Sequence, residues 1–228
     1  MISVVLAAYN GGKYIEKQLE SILSQLGAED EVIVSDDKPD GDTFPAIEAM
    51  LASDSRIRYV CGPGKGVIAN FEYAIGLARG DYIFLSDQDD MWMSGKVDAV
   101  MQEFAAGALV VMHDALITDA ELNPTGETAF AVNQTKTGFI KNFIKNSYQG
   151  SCMAFDAKLK PYILPFPQSI PMHDQWIGLV GERHGAVHLI KEPYLLYRRH
   201  GDNLSGNGSS FQQKILWRID LLKCFLRK

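Results

Sequence analysis

Cysteine is scarce in this sequence, and no apolar run is long enough to cross a membrane. The 228 residues include three cysteines, Cys61, Cys152 and Cys224. Their odd number and wide spacing fit neither a disulfide framework nor a zinc site, so we expect a reducing compartment. The first residues, MISVVLAAYNGG, form a short apolar run with no basic region before it, which is not the pattern of a signal peptide. These features predict a cytoplasmic protein.

An excess of positive charge is also missing. The chain has 22 Lys and Arg against 28 Asp and Glu, a net charge of −6. General nucleic-acid binders are usually basic, so we expect no nucleic-acid partner. There is no Walker-type GKS/T, no GxGxxG and no serine or cysteine nucleophile motif. The apolar content of 46% is ordinary for a soluble globular domain.

Strand and helix patterns alternate in the first part of the chain. Short runs rich in β-branched residues predict strands at 2–8, 31–35, 56–60 and 81–85. Apolar residues at helical spacing predict helices at about 13–26, 43–51 and 67–78. This alternation predicts an α/β fold with a parallel sheet flanked by helices, and ligands bind beyond the carboxyl ends of such strands.

The alternation is weaker after residue 95. We predict helices at 95–106 and 172–184 and strands at 108–114, 151–155, 186–190 and 193–197. Residues 123–137 are polar and rich in turn formers. We therefore predict one domain over 1–210, with a nucleotide-binding half at 1–106 and an acceptor-binding half at 107–210.

Three carboxylates follow the fourth predicted strand directly, in YIFLSDQDD (82–90). Buried carboxylates are costly unless they are paired or bind a metal. Asp87 and Asp89 form an Asp-x-Asp turn that can bring oxygen ligands to Mg²⁺ or Mn²⁺, which are often shared with substrate phosphates. The alternative is a solvated acidic turn that caps the next helix. In either case we expect Asp90 to cap the helix that begins nearby. The position at a strand end favours the ligand site.

Five segments, taken in order, resemble the inverting family 2 glycosyltransferases with the GT-A fold. They cover most of residues 2–206 and read SVVLAAYNGGKYIEKQLESILSQ, VSDDKPDGDT, GDYIFLSDQDDMWMSGKV, MHDQW and YRRHGDNLSG. The versions found here are most similar to bacterial rhamnosyltransferases of cell-surface polysaccharide synthesis. The resemblance implies a mostly parallel, Rossmann-like central sheet flanked by helices, with a C-terminal acceptor-binding portion.

The resemblance also implies roles for residues near the first strands. Nucleotide binding falls to Ala7, Tyr9, Asn10, Asp37 and Lys65. Asp37 would accept the imide N–H of uracil or thymine, and its alternative role is to cap a turn. Lys65, in GPGKG, would reach the ribose or the diphosphate, or lie in a plain surface turn.

In such enzymes the acidic turn holds a metal and a later carboxylate acts as the base. The resemblance assigns Mn²⁺ or Mg²⁺ to Asp89, with Asp87 reaching either the metal or the ribose. It assigns metal or diphosphate binding to His200, for which a structural role is the alternative. Asp174 in HDQW would take the proton of the acceptor hydroxyl, and the alternative is a helix N-cap.

The last segments have predicted roles of their own. We expect the glycine-rich stretch 201–210 to close over the donor. Residues 211–228 form an apolar and basic helical pattern, which predicts peripheral membrane association at the inner face of the plasma membrane. Docking of this helix on the domain, or on a second subunit in a homodimer, is the alternative.

The sequence thus predicts a metal-dependent, inverting transferase that uses a nucleotide-diphosphate sugar, either dTDP-rhamnose or a UDP-hexose or UDP-N-acetylhexosamine. The acceptor would be a hydroxyl of a glycan or of a lipid-linked glycan. A nucleotidyltransferase is one alternative, although it would need a basic glycine-rich loop where this chain has AAYNGGKY. A non-catalytic nucleotide-sugar-binding module is another.

Overall fold

A computed structural model describes residues 1–200 and 211–227 of the chain, with side chains for 1–200 and 216–225. Within these residues the strands are β1 Ile2–Ala8, β2 Glu31–Asp36, β3 Ile57–Cys61, β4 Tyr82–Asp87, β5 Met91–Trp92, β6 Val110–Thr118, β7 Pro124–Thr128, β8 Met153–Asp156 and β9 Val187–Arg198. The α-helices are α1 Ile15–Leu23, α2 Thr43–Ser53, α3 Val67–Leu77, α4 Lys96–Ala105, α5 Ala129–Asn133, α6 Phe139–Ile144, α7 Lys160–Ile163, α8 His173–His184 and α9 Phe211–Arg227.

The strands form one sheet in the order β3-β2-β1-β4-β8-β6-β9-β5, and β7 pairs with β6. The four strands predicted in the first part of the chain are present and parallel to one another. Ala7 pairs with Asp87 of β4, and Ala8 pairs with Asp36 of β2. The carboxyl ends of these strands therefore meet at one edge, where the predicted ligand residues lie.

The central strands are buried on both faces. Val4, Val5 and Leu6 of β1 have no exposed surface, as expected for a parallel strand that is covered by helices on either side. Helix α1 contributes the buried side chains of Leu19 and Ile22 to the same core. This core fixes the positions of the strand ends at the edge where the predicted ligand residues lie.

The later strands extend the same sheet. Strand β8 is antiparallel to both β4 and β6, while β9 is parallel to β6. The sheet thus continues from the predicted nucleotide-binding half into the predicted acceptor-binding half. The functional division at residue 106 stays a prediction.

Residues 186–190 and 193–197 belong to a single strand, so the prediction of two short strands was wrong. Strand β9 continues through Pro193, which lies opposite Asp114 of β6. The pairing shifts register on either side of Asp114, so the proline occupies an irregular position in the ladder. Proline has no N–H to donate and is tolerated at bulges for this reason.

Other boundaries also differ from the sequence predictions. Only residues 153–155 of the predicted strand at 151–155 are extended, because Gly150–Cys152 form a 3₁₀ turn, and β8 continues to Asp156. The segment 123–137 contains β7 and α5 in addition to its turns. The two-residue strand β5 was not predicted.

The C-terminal helix α9 packs on its own domain. The ring of Phe225 lies 4.9 Å from that of Trp176 in α8, and the Arg183 guanidinium donates to the Phe225 carbonyl at 2.9 Å. Leu221 is buried in the core. Among the described residues, no helix is both long enough and apolar enough to span a bilayer.

Candidate active site

The end of β1 is fastened to the acidic turn by one glutamine. The Gln88 amide accepts from the Tyr9 backbone N–H at 2.8 Å and donates to the Tyr9 carbonyl at 3.0 Å. A Cβ at Gly11 would lie 2.3 Å from the Gln88 Oε1, so a larger residue there would displace the Gln88 amide. Next to this contact, the side chains of Tyr9 and Asn10 are exposed at the edge of the sheet. Asn10 adopts a left-handed backbone conformation, with a φ of 49°. Tyr9 and Asn10 are therefore placed beside the predicted metal turn.

Asp37 holds the GPGKG loop. Its carboxylate accepts one hydrogen bond from the Gly64 N–H and one from the Gly66 N–H, both at 2.7 Å. Lys65 lies between these two glycines and is exposed. Each carboxylate oxygen keeps a further lone pair that can accept from a ligand. Asp37 thus has the turn-binding role that was the alternative, and its predicted nucleobase contact stays a prediction.

The turn's second carboxylate is paired with the distant histidine. Asp89 Oδ2 lies 2.7 Å from His200 Nε2, although the residues are 111 positions apart in the chain. The His200 ring stacks on that of Tyr14 at a centroid distance of 5.3 Å. His200, which follows β9, therefore lies at the acidic turn, and its predicted metal role requires this position.

Asp90 does not cap the following helix, so that prediction was wrong. Helix α4 begins only at Lys96, with Gly95 at its N-cap. Asp90 is instead buried, and its Oδ1 accepts from the backbone N–H of Arg198 at 3.0 Å. Residues 91–95 separate Asp90 from the start of α4, and the first two of them form β5, which pairs with β9.

Arg198 fixes the acidic turn from the β9 side. Its Nε donates to the Asp89 carbonyl at 2.7 Å, and its Nη1 donates to the Ala120 carbonyl. The guanidinium carbon lies 4.6 Å from the centroid of the Tyr14 ring. Arg198 is buried, so these contacts lie inside the fold.

Burial and crowding of negative charge raise the pKa of Asp87 to about 7. Burial has the largest effect, and the carboxylates of Asp89 and Asp174 add to it. The ammonium of Lys96 opposes this shift. Lys96 is itself buried, donates to the Ser151 carbonyl at 3.0 Å and lies 4.0 Å from the Trp92 ring. Burial lowers its pKa to about 7.

Asp174 lies in the first turn of α8 without being its N-cap, which is Met172. Its Oδ1 accepts from the Gln175 backbone N–H at 2.5 Å and from the Asn146 amide at 3.1 Å. Burial raises its pKa to about 6, and these hydrogen bonds oppose the shift. A base with a pKa just below neutrality is ionised at pH 7 and can still hold a proton.

The structure brings most of the predicted residues to the edge of the sheet where the parallel strands end. The negative charge of Asp174 contributes to the raised pKa of Asp87, so the two carboxylates lie within electrostatic range of each other. Asp89 and His200 are in direct contact there. Asp37 and Lys65 lie at the β2 and β3 side of the same edge. The predicted closing loop at 201–210 lies outside the described residues.

Three supporting residues were not predicted as part of the site. Gln88 joins the strand end to the turn, and Asn146 holds the Asp174 carboxylate. The His173 ring stacks on Phe71 of α3 at 4.0 Å, which ties the start of α8 to the first half of the sheet. Burial lowers the pKa of His173 to about 3, so this ring is neutral. Gln88 and His173 had a sequence signal, because each adjoins a predicted site aspartate, whereas Asn146 had none.

The donor atoms of the cleft suit a hard divalent cation that is shared with substrate. Among the described residues, no three His, Cys, Asp or Glu side chains form a ready metal site. Asp89 and His200 are nevertheless adjacent, and Asp87 carries a charge that its neighbours disfavour. Mg²⁺ is commonly bound by one or two carboxylates together with substrate phosphates. Asp89, His200 and Asp87 fit such a partial site.

The family model described as Glycosyl transferase family 2 matches residues 3–160. Among curated proteins, the chain is 23% identical over 216 residues to a GalNAc(5)-diNAcBac-PP-undecaprenol beta-1,3-glucosyltransferase of Campylobacter jejuni, covering 92% of this chain and 70% of that one. It is 25% identical over 233 residues to the dTDP-rhamnosyl transferase RfbG of Shigella flexneri, covering 92% and 76%. It is 33% identical to the chondroitin synthase of Escherichia coli over 104 residues, 46% of this chain but only 15% of that much longer protein.

Solved structures share the fold. S. aureus TarS in complex with UDP-GlcNAc aligns with a TM-score of 0.72 at 18% identity, covering 97% of this chain and 66% of TarS. The mannosyltransferase PcManGT of Pyrobaculum calidifontis, in complex with GDP-Man and Mn²⁺, aligns with a TM-score of 0.62 at 16% identity, covering 99% and 70%. These likenesses confirm the predicted GT-A fold. Because the family match includes both the strand-end residues and the acidic turn, the chain belongs to glycosyl transferase family 2.

Proposed function

We propose that this protein is an inverting, metal-dependent glycosyltransferase. It moves a hexosyl group from a nucleotide-diphosphate sugar to a hydroxyl of a glycan or lipid-linked glycan in bacterial cell-surface polysaccharide synthesis. The observation that carries the proposal is the 2.7 Å contact of Asp89 with His200 at the acidic turn, and the charge of Asp174, which contributes to the raised pKa of Asp87, supports it. One end of the cleft suits a diphosphate, and the other end suits an alcohol.

The base in this proposal is Asp174. Its carboxylate takes the proton of the acceptor hydroxyl while that oxygen forms a bond to the anomeric carbon. The bond from this carbon to the diphosphate oxygen breaks on the opposite face, so the configuration inverts. The Asn146 amide holds the carboxylate at 3.1 Å and sets its orientation toward the acceptor.

The diphosphate end belongs to the acidic turn and its supports. Asp89 and His200 would hold Mn²⁺ or Mg²⁺, with Asp87 as a ligand or a ribose contact. Such a cation neutralises the charge that develops on a departing diphosphate. Ala7, Tyr9, Asn10, Asp37 and Lys65 would bind the nucleoside, since they line the adjoining strand ends.

The donor is dTDP-rhamnose or a UDP-hexose or UDP-N-acetylhexosamine. The names of the relatives support both classes, because one is a dTDP-rhamnosyl transferase and another is a glucosyltransferase acting on an undecaprenol-linked glycan. A lipid-linked acceptor would place the enzyme in the cytoplasm, at the inner face of the membrane. The family match favours this activity over nucleotidyl transfer.

The test compares transfer with donor binding in Asp174→Asn. Transfer from dTDP-rhamnose and from UDP sugars is measured on a polyprenyl-diphosphate glycan acceptor, and donor binding is measured by calorimetry with Mn²⁺. We expect the rate to fall by about 10²–10⁴-fold, the range of general base catalysis, while the donor affinity changes little. Asp98→Asn is the matched control, because Asp98 lies in the first turn of α4 and is exposed.

Two results would argue against the proposal. If Asp174→Asn transferred the sugar at the wild-type rate, the Asp174 carboxylate would have no part in the reaction. Donor binding with no transfer to any hydroxyl acceptor, in the wild-type protein, would favour a non-catalytic binding module.

A further inference from the structure

Helices α6 and α9 lie side by side and antiparallel. The Arg218 guanidinium, near the start of α9, donates to the carbonyl of Ile144 at the end of α6. The Phe225 ring, near the end of α9, packs at 5.1 Å on that of Phe139 at the beginning of α6. Both helices rest on α8 through their inner faces, which leaves their outer faces to solvent.

The outer faces carry large apolar side chains. Five of them are between 44% and 72% exposed, namely Ile140, Ile144, Leu216, Ile219 and Leu222. Two of the five come from α6 and three from α9, so the apolar surface spans both helices. Soluble monomers rarely expose contiguous apolar surface of this kind unless it binds a partner. We call this set the two-helix surface.

Lysines surround the two-helix surface. Lys136, Lys141 and Lys145 are exposed before, in and directly after α6, respectively, and Lys223 is exposed on α9. The segment 136–145 has no acidic residue, and the described part of α9 has one, Asp220, which pairs with Lys223 at 3.2 Å. A local excess of positive charge therefore frames apolar side chains on a protein whose net charge is −6.

We propose that the two-helix surface binds the headgroup region of an anionic lipid bilayer. Apolar side chains that are bordered by lysines match an interface in which acyl chains lie beneath negatively charged headgroups. A second copy of this chain fits less well, because the same lysines would then face one another across a symmetric contact. The inference does not depend on the sugar-transfer reaction.

The position of this surface relative to the cleft gives it a use. Helix α6 ends at Ile144, and only Lys145 separates it from Asn146, whose amide holds the Asp174 carboxylate. A membrane bound to α6 would therefore lie next to the acceptor end of the cleft. A hydroxyl carried by a lipid-linked glycan would be presented on that side.

The test is co-sedimentation of the full-length protein with vesicles, without donor or acceptor. Phosphatidylcholine vesicles with and without phosphatidylglycerol separate anionic recognition from general adsorption. We expect the wild-type protein to pellet only with phosphatidylglycerol, and less at high salt. Reversal of the lysines, in Lys141→Glu/Lys145→Glu/Lys223→Glu, is expected to weaken partitioning by on the order of 100-fold, since each lysine near such a surface contributes about fivefold.

Apolar variants and matched controls complete the design. Ile140→Ser/Ile144→Ser is expected to weaken partitioning by at least about tenfold without a change in Tm, because both side chains are exposed. Lys17→Glu/Lys191→Glu and Tyr73→Ser alter exposed residues elsewhere and are expected to bind like the wild type.

Three outcomes would overturn the proposal. One is a wild-type protein that does not pellet with anionic vesicles. Another is binding by the α6 variants equal to that of the wild type, which would leave α6 without a role. The third is a stable dimer in analytical ultracentrifugation that Ile140→Ser/Ile144→Ser dissociates, because a second copy would then cover the surface.

Discussion

Asp174 combines two demands that oppose each other at the scale of a single residue. Its carboxylate is buried, which raises its pKa to about 6, and its proposed role as a base requires the ionised form at neutral pH. Hydrogen bonds from Gln175 and Asn146 reduce the cost of that charge. Buried functional carboxylates of this kind lower the stability of the folded state above their pKa.

Asp174→Asn is therefore expected to stabilise the protein while it removes transfer activity. The folded-state pKa is above the unfolded value, so the charge of Asp174 destabilises the fold above pH 6 and this effect is relieved as the pH falls through about 6. At pH 8 the variant should gain roughly 1–3 kcal/mol in the free energy of unfolding, and less at pH 5. Urea denaturation at both pH values measures this. A variant that is less stable than the wild type at pH 8 would show that the hydrogen bonds outweigh burial.

His200 offers a second prediction at the same scale. If it shares a cation with Asp89, His200→Ala should raise the Mn²⁺ concentration needed for half-maximal nucleotide binding by at least about tenfold. His188→Ala is the control, because His188 also contacts a carboxylate, that of Glu103, at 2.7 Å. Calorimetric Mn²⁺ titrations in the presence of a nucleoside diphosphate compare the two. An equal Mn²⁺ requirement in both variants would give His200 a purely structural role.

At the scale of elements, helix α8 and the segment 146–150 form one packed unit around Asp174. Gly178 of α8 lies against the Tyr148 ring, and a Cβ at that glycine would be 2.2 Å from a ring carbon. A Cβ at Gly150 would likewise lie 2.6 Å from the Nε2 of His173. The small residues let the helix approach closely enough for Asn146 to reach the Asp174 carboxylate.

Two glycine-to-alanine changes separate packing from helix propensity. Gly76→Ala in α3, where nothing lies within 4 Å of the new Cβ, should stabilise the protein by about 0.5–1 kcal/mol. Gly178→Ala should destabilise it by about 1–3 kcal/mol, because the buried Tyr148 ring must move. Thermal and urea denaturation of both variants provide the comparison. Stabilisation by Gly178→Ala would show that α8 is packed less tightly than this.

The first half of the fold was predictable from the sequence because each element there carries its own local signal. The apolar run of β1 and the helical spacing of α3 identify these elements without knowledge of their neighbours. Strand β9 was predicted as two pieces because Pro193 is a strong local break, and the irregular pairing with β6 that accommodates it is a tertiary feature. The short strand β5 depends on its pairing with β9 and has no local pattern.

The sequence identified the residues that are candidates for binding or reaction, but it did not identify the residues that hold them in place. Asp87, Asp89 and Asp174 stand in recognisable motifs at strand and helix ends. The role of Asn146 depends on the approach of α8, since it lies 28 positions from Asp174 in the chain. Asp90 appeared to be a cap from its position in the sequence, but its partner Arg198 is 108 positions away.

At the scale of the whole molecule, one sheet joins the predicted nucleotide-binding half to the predicted acceptor-binding half. Strand β9 crosses the second half and ends at Arg198, which holds the acidic turn of the first half. Asp174, at the start of α8, lies within electrostatic range of Asp87 in that turn. The C-terminal helix α9 adds an exposed apolar and basic surface beside α6.

The most direct measurement of the central claim is a crystal structure with Mn²⁺ and dTDP or UDP, with manganese located by its anomalous signal. We predict a manganese peak within about 2.5 Å of the Asp89 carboxylate and bound to the diphosphate. The Asp174 carboxylate should face the open side of the same cleft, where the sugar would lie. A nucleotide bound elsewhere, or a manganese ion that contacts neither Asp89 nor the diphosphate, would contradict the account.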